Sequence, residues 1–141
     1  MREAIGDTGA IVALLDRSDQ YHKWSLESLK TIRAPIITCE AVLAEAWHLL
    51  GAAPPARTTL SKLYKQGVFK VELEFARQSE SIWDLLLKYQ DIPMDLADAC
   101  VVRLSEIFPK YSVWTVDSDF KFYRRNKRKI IPLLAPWQDE R

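Results

Sequence analysis

An α/β fold, built as a central parallel sheet flanked by helices, follows from three observations on the sequence. Short apolar runs alternate with segments of helical periodicity throughout the chain. Two of those runs end at an aspartate, Asp7 and Asp117, where ligands collect beyond the carboxyl ends of parallel strands. The length of 141 residues, with 48% hydrophobic and 28% charged, suits one sizeable core and is too short for two, so residues 1–141 read as a single domain.

Each element has its own signal. Ala4-Ile5-Gly6 reads as a short buried strand turning at Asp7-Thr8-Gly9, and the compact apolar run Ala10–Leu15 opens a helix. Ser18 or Asp19 can cap a second helix, from Gln20 to about Ile32, with Trp24, Leu26 and Leu29 on its apolar side. Pro35-Ile36-Ile37 reads as a strand, and Thr38 as the cap of an apolar helix from Glu40 to Leu50, closed by Gly51. Ala52-Ala53-Pro54-Pro55 is the clearest linker, a hinge between helices and not a domain boundary. Thr58–Gln66 reads as a helix stopped by Gly67, Val68–Leu73 alternates as a strand, and Phe75–Tyr89 is helical. Pro93 then stops the chain and suits a new helix start. In Met94–Leu104 the residues Ala97, Cys100, Val101 and Leu104 recur at helical spacing and form a buried stripe. Tyr111–Val116 alternates as a strand, Phe120–Tyr123 is a helical turn, and Lys129–Leu134 contains a last short strand.

Acids in unusual places carry the chemistry. Asp95 and Asp98 share one face of a helix first turn, where the dipole favours negative charge. Capping alone accounts for Asp95. Asp98 lies at the edge of the apolar stripe, and a half-buried carboxylate is costly unless it is paired or binds a cation. Glu45 sits between Leu43, Ala46, Trp47 and Leu49, whereas Glu40 at the helix start is explained by the dipole. Asp7, Glu45, Asp98 and Asp117 are therefore the candidate site, with Asp95 and Asp119 as helpers. Carboxylates clustered at strand ends suit a hard divalent cation, Mg²⁺ or Mn²⁺. No histidine pair or cysteine set has zinc spacing. His22 reads as structural or peripheral, and His48 as a packed or surface residue. Asp7-Thr8-Gly9 also matches the aspartic-protease triplet, but those enzymes are rich in β-structure and this triplet enters a helix.

Formal net charge is +1, which selects no partner, but its distribution is uneven. Lys121, Arg124, Arg125, Lys127, Arg128 and Lys129 follow the last acid, with Phe122 and Tyr123 interleaved. Such a segment beside an acidic metal site can hold the phosphates flanking a scissile bond, and Tyr123 or Phe122 could stack a base. The alternative is a solvated loop that balances the acids. Cys39 and Cys100 form no CxxC pair and read as buried thiols in a reducing cytoplasm. The N-terminus does not read as a signal peptide, and no apolar run is long enough to cross a membrane.

Taken together, Asp-Thr-Gly after the first strand, TCEAVLAEAWHLL, MDLADACVV and TVDSDF resemble the PIN-domain ribonucleases, particularly the VapC-like toxins of toxin–antitoxin pairs. The resemblance runs from Ile5 to about Leu134. Carried over residue by residue, the family's acids fall on Asp7, Glu45, Asp98 and Asp117. Asp119 takes the second Asp of the TxDxDF pattern, and Thr8 and Thr115 take supporting positions. The resemblance implies Mg²⁺- or Mn²⁺-dependent endonucleolytic cleavage of RNA, a homodimer, and inhibition by a cognate antitoxin. Lys121, Arg124, Arg125 and Arg128 are the expected RNA contacts. Two rival classes are a PIN-like module that binds RNA or protein without cutting, and a metal-dependent phosphoesterase acting on DNA. The intact set of four acids favours the ribonuclease, and DNA enzymes of this kind carry further acids and large additions.

Overall fold

The computed structural model describes residues 1–139. Strand β1 (Ala4–Gly6) runs into helix α1 (Thr8–Leu15), followed by α2 (His22–Leu29), β2 (Ile36–Thr38), α3 (Glu40–Leu49) and α4 (Pro54–Lys65). Then come β3 (Phe69–Val71), α5 (Phe75–Lys88), α6 (Leu96–Ile107) and β4 (Ser112–Trp114), and finally the short strands β5 (Arg124–Arg125), β6 (Lys129–Ile130) and β7 (Leu133–Leu134).

The main sheet is parallel, in the order β3-β2-β1-β4-β7, and is flanked by the helices as the alternation predicts. Ile5 pairs with Ile37 on one side and with Val113 on the other. All three side chains are buried, as expected for a parallel sheet covered on both faces. The chain leaves β1 toward β2 and β3, then returns to place β4 and β7 on the opposite side. The carboxyl ends of β1 and β4 thus form the topological switch point, where an open α/β sheet leaves a crevice.

Several elements differ from the sequence expectation for clear physical reasons. Pro54 and Pro55 are not a hinge: they occupy the first turn of α4, where a missing N–H costs nothing and the fixed φ suits the helix. The connection from α3 shrinks to a 3-10 turn, Leu50–Ala52. Thr38 ends β2 instead of capping α3, and its hydroxyl donates to the Gly6 carbonyl at 3.0 Å, tying β2 to β1. Helix α2 begins two residues later than expected and ends three earlier. The Asp19 carboxylate accepts from the Tyr21 amide at 2.8 Å, in the turn ahead of the helix. Ser25 and Ser28 are its fully buried residues, Trp24 and Leu29 pack half-buried against the core as expected, and Leu26 is exposed. Ser25 donates to the Ala10 carbonyl and Ser28 accepts from the Trp114 indole N–H, each at 2.8 Å. The small hydroxyl residues satisfy buried polar groups of α1 and β4 that a leucine could not.

Strand β4 is shorter than its alternation suggests, and the helical turn after it lies at Ser118–Lys121. The basic segment contains an antiparallel hairpin, β5 with β6, that the sequence did not announce. Its turn passes through Asn126 and Lys127, both in the left-handed region at φ 48° and 75°.

Candidate active site

Asp7 follows β1 at the start of α1, in extended conformation, and its N–H donates to the Trp114 carbonyl at 3.0 Å. The end of β1 is thereby fixed to the end of β4. Gly9 makes this approach possible, because a Cβ there would stand 2.6 Å from Cγ2 of Val116. The glycine of the triplet is therefore a packing requirement. Thr115 Oγ1 donates to Oδ2 of Asp7 at 2.6 Å and accepts from the Asp117 amide at 2.9 Å. One buried hydroxyl thus sets both the first and the last acid. Asp117 in turn accepts from the Asp119 amide at 2.9 Å, starting the 3-10 turn.

Asp98 enters from α6. Its N–H donates to the Asp95 carboxylate at 2.8 Å, and its own Oδ2 accepts from the Asp95 amide at 3.3 Å, a reciprocal capping box. Capping is thus real for both residues. It does not exhaust Asp98, which is buried and accepts a second bond at Oδ2, from the Tyr123 hydroxyl at 3.2 Å. Glu45 projects from α3, half-buried. The Thr8 hydroxyl is buried without a hydrogen-bond partner among the described residues, and it favours the charged form of Glu45.

The sequence matches the PIN-domain family over residues 4–125. The chain belongs to the PIN-domain family. Among solved structures, the fold is similar to that of VapC20 of Mycobacterium tuberculosis, a toxin that cleaves the sarcin–ricin loop. That match has a TM-score of 0.74 at 20% identity and covers 83% of this chain and 92% of the other. No curated protein matches the sequence.

In this PIN domain burial is the main reason the acids resist ionisation, and their charges on one another add to it. Burial pushes Asp7 up to about 7, against the Thr115 hydrogen bond, and the charges of Asp117 and Glu45 add to the rise. Burial likewise pushes Asp98 up to about 8, helped by the charges of Asp7, Asp95 and Asp117. Glu45 and Asp117 are also raised, each by burial first and by neighbouring carboxylates next. Acids from four separate stretches thus form one electrostatic unit at the switch point. Among the described residues, no three of them stand grouped closely enough to hold an ion as placed. Asp7 and Asp98 each have one oxygen engaged by a hydroxyl.

The basic segment divides into two kinds of residue. Arg125 donates to the carbonyls of Ser105, at 2.7 Å, and Pro109, at 3.0 Å, and so closes the C-terminal end of α6. Arg124 turns its guanidinium to the carbonyls of Lys121 and Tyr123 at 2.8 and 3.0 Å. Glu106 accepts from the Asn126 amide at 2.6 Å, a further anchor of the hairpin on α6. Lys121 lies 4.7 Å from the Trp137 ring, and Arg128 is exposed. Tyr123 is wholly buried and cannot stack a base, whereas Phe122 is exposed. His22 contacts the Ala13 carbonyl at 2.7 Å and is structural, and His48 is exposed. Tyr89 carries no signal in its sequence context, yet its hydroxyl accepts from the Arg124 amide at 2.8 Å.

Proposed function

We propose that this PIN domain is a metal-dependent endoribonuclease, the toxin of a toxin–antitoxin pair. The observation that carries the reading is the electrostatic coupling of Asp7, Glu45, Asp98 and Asp117 at the switch point of a PIN fold. The donor set fits Mg²⁺ or Mn²⁺, since it is all oxygen and its mutual repulsion is relieved by a cation. Asp7, Asp98 and Asp117 would hold it, with Glu45 and Asp119 completing the set. A bound ion supplies a water of lowered pKa and stabilises charge developing on the phosphate. The chain's own part is positional. Thr115 holds Asp7 and the Asp117 backbone in one frame, and the capping box holds Asp98. Burial of Asp7 and Asp98 makes their charge costly until a cation pairs with it, and Arg128, with Lys121 and Arg124 beside it, would grip the RNA backbone.

Three partners belong to the same proposal. RNA is the substrate, and a cognate antitoxin protein is the inhibitor. A second copy of the chain supports the work: Trp47 and Tyr64, both exposed, line with Leu43 a cleft of about 260 Å³ on α3 and α4, next to Leu60. No helix among the described residues is long and apolar enough to cross a membrane, and the free, buried Cys39 and Cys100 suit a reducing cytoplasm.

The test is cleavage of structured RNA, the sarcin–ricin loop included, with Mn²⁺ or Mg²⁺ and with chelator. Metal-dependent cuts by the wild type that vanish in Asp98→Asn support the enzyme. RNA binding with no cleavage under any metal would leave the non-catalytic module.

A further inference from the structure

Asp98 has two carboxylate oxygens, and the fold treats them differently. Oδ2 accepts from the Tyr123 hydroxyl at 3.2 Å and from the Asp95 amide at 3.3 Å. Among the described residues Oδ1 accepts no hydrogen bond. The Tyr123 ring cannot drift, because Tyr89 and Phe120 pack edge-on against it, with centroids at 5.3 and 5.1 Å and planes at 64° and 84°. Tyr89 is itself tied to the first residue of β5 by the Arg124 amide. A buried tyrosine hydroxyl needs a partner, but a backbone carbonyl would serve packing equally well. Here the partner is a carboxylate of the site.

We propose that Tyr123 is a positioning residue: its hydroxyl, with the Asp95 amide, pins Oδ2 of Asp98 and leaves Oδ1 as the oxygen that ligates the metal. The inference rests on the metal-dependent reading above. Partners that orient a ligating carboxylate are worth about 10–100-fold in metal affinity or activity. Tyr123→Phe removes only the hydroxyl and keeps the ring between its two aromatic neighbours.

The experiment is calorimetric titration of Mn²⁺ into the full chain without RNA, for wild type and Tyr123→Phe. Thermal melts with and without Mn²⁺, and cleavage as a function of Mn²⁺, accompany it. The expected result is a Kd for Mn²⁺ weakened about 10-fold or more. Cleavage should be lost at low Mn²⁺ and regained at high Mn²⁺, with KM for RNA unchanged. A variant with wild-type Mn²⁺ affinity and metal dependence, and only a lower Tm, overturns the proposal and makes Tyr123 a packing residue. Wild-type protein supplies a second readout that needs no variant. The Tyr123 Cζ resonance, followed by NMR, should shift saturably as Mg²⁺ is added, and a resonance that stays fixed while Mg²⁺ binds also overturns it. If the wild type binds neither ion, the metal-dependent reading itself has failed.

Discussion

Asp7 and Asp98 are acids that folding makes reluctant to ionise. Their pKa values of about 7 and about 8 lie far above the ordinary carboxyl range, so the folded state holds protons that the unfolded chain releases. Without metal, their contribution to stability is fully present below about pH 4 and is lost as pH rises through about 7 and 8. Melts of the metal-free protein should therefore fall across that window. Asp7→Asn should flatten the fall, and saturating Mn²⁺ should offset it by binding only the folded form. The same variant, and Asp98→Asn, should abolish RNA cleavage while leaving the metal-free Tm unchanged or higher. A drop of many degrees would make these carboxylates structural. Arg125→Ala tests the opposite kind of residue. It loses two charged hydrogen bonds at the end of α6 and should destabilise by about 1–3 kcal/mol in chemical denaturation, with unchanged salt dependence of RNA binding.

At the scale of elements, the turn Ser118–Lys121 and the hairpin β5–β6 that follows it carry the RNA prediction. Lys121→Ala and Arg128→Ala should each reduce the slope of log K against log salt by about 1, with melts unaffected. A slope that does not move returns the segment to a solvated loop. The hairpin was illegible in the sequence because its strands are made of Arg, Lys and Ile, and its turn is Asn126-Lys127, not an Asn-Gly signal. The long apolar patterns of α3, α5 and α6 were legible to within a few residues, since periodicity is a property of the whole segment. Single-residue signals misled. Thr38 and Pro54-Pro55 have more than one local use, and the packing of β2 on β1 and of α4 on its neighbours decides which is taken. The four acids stood out because each sits where a surface acid has no reason to be. Tyr123 stood out for the wrong role, base stacking, because an aromatic among arginines looks the same in sequence whether it faces RNA or the core.

For the molecule as a whole, the association prediction rests on α3 and α4. Trp47→Glu with Tyr64→Glu should convert a dimer to a monomer in sedimentation at micromolar concentration. If the wild type sediments as a monomer, this face has no second copy to bind. The order of the sheet has another consequence, in the time domain of synthesis. β1 is made first and sits at the centre, but its partner β4 comes from residues 112–114, and β7 from residues 133–134. A ribosome that has translated as far as Lys110 has already produced Asp7, Glu45 and Asp98, yet not Thr115 or Asp117, nor the strand that receives the Asp7 amide. On the proposed reading, a chain stopped before β4 lacks two parts of the site and is expected not to cut RNA. The proposed centre closes only when the last fifth of the chain emerges and threads back beside the first strand, so products of translation interrupted upstream of β4 are expected to be inert in a cleavage assay.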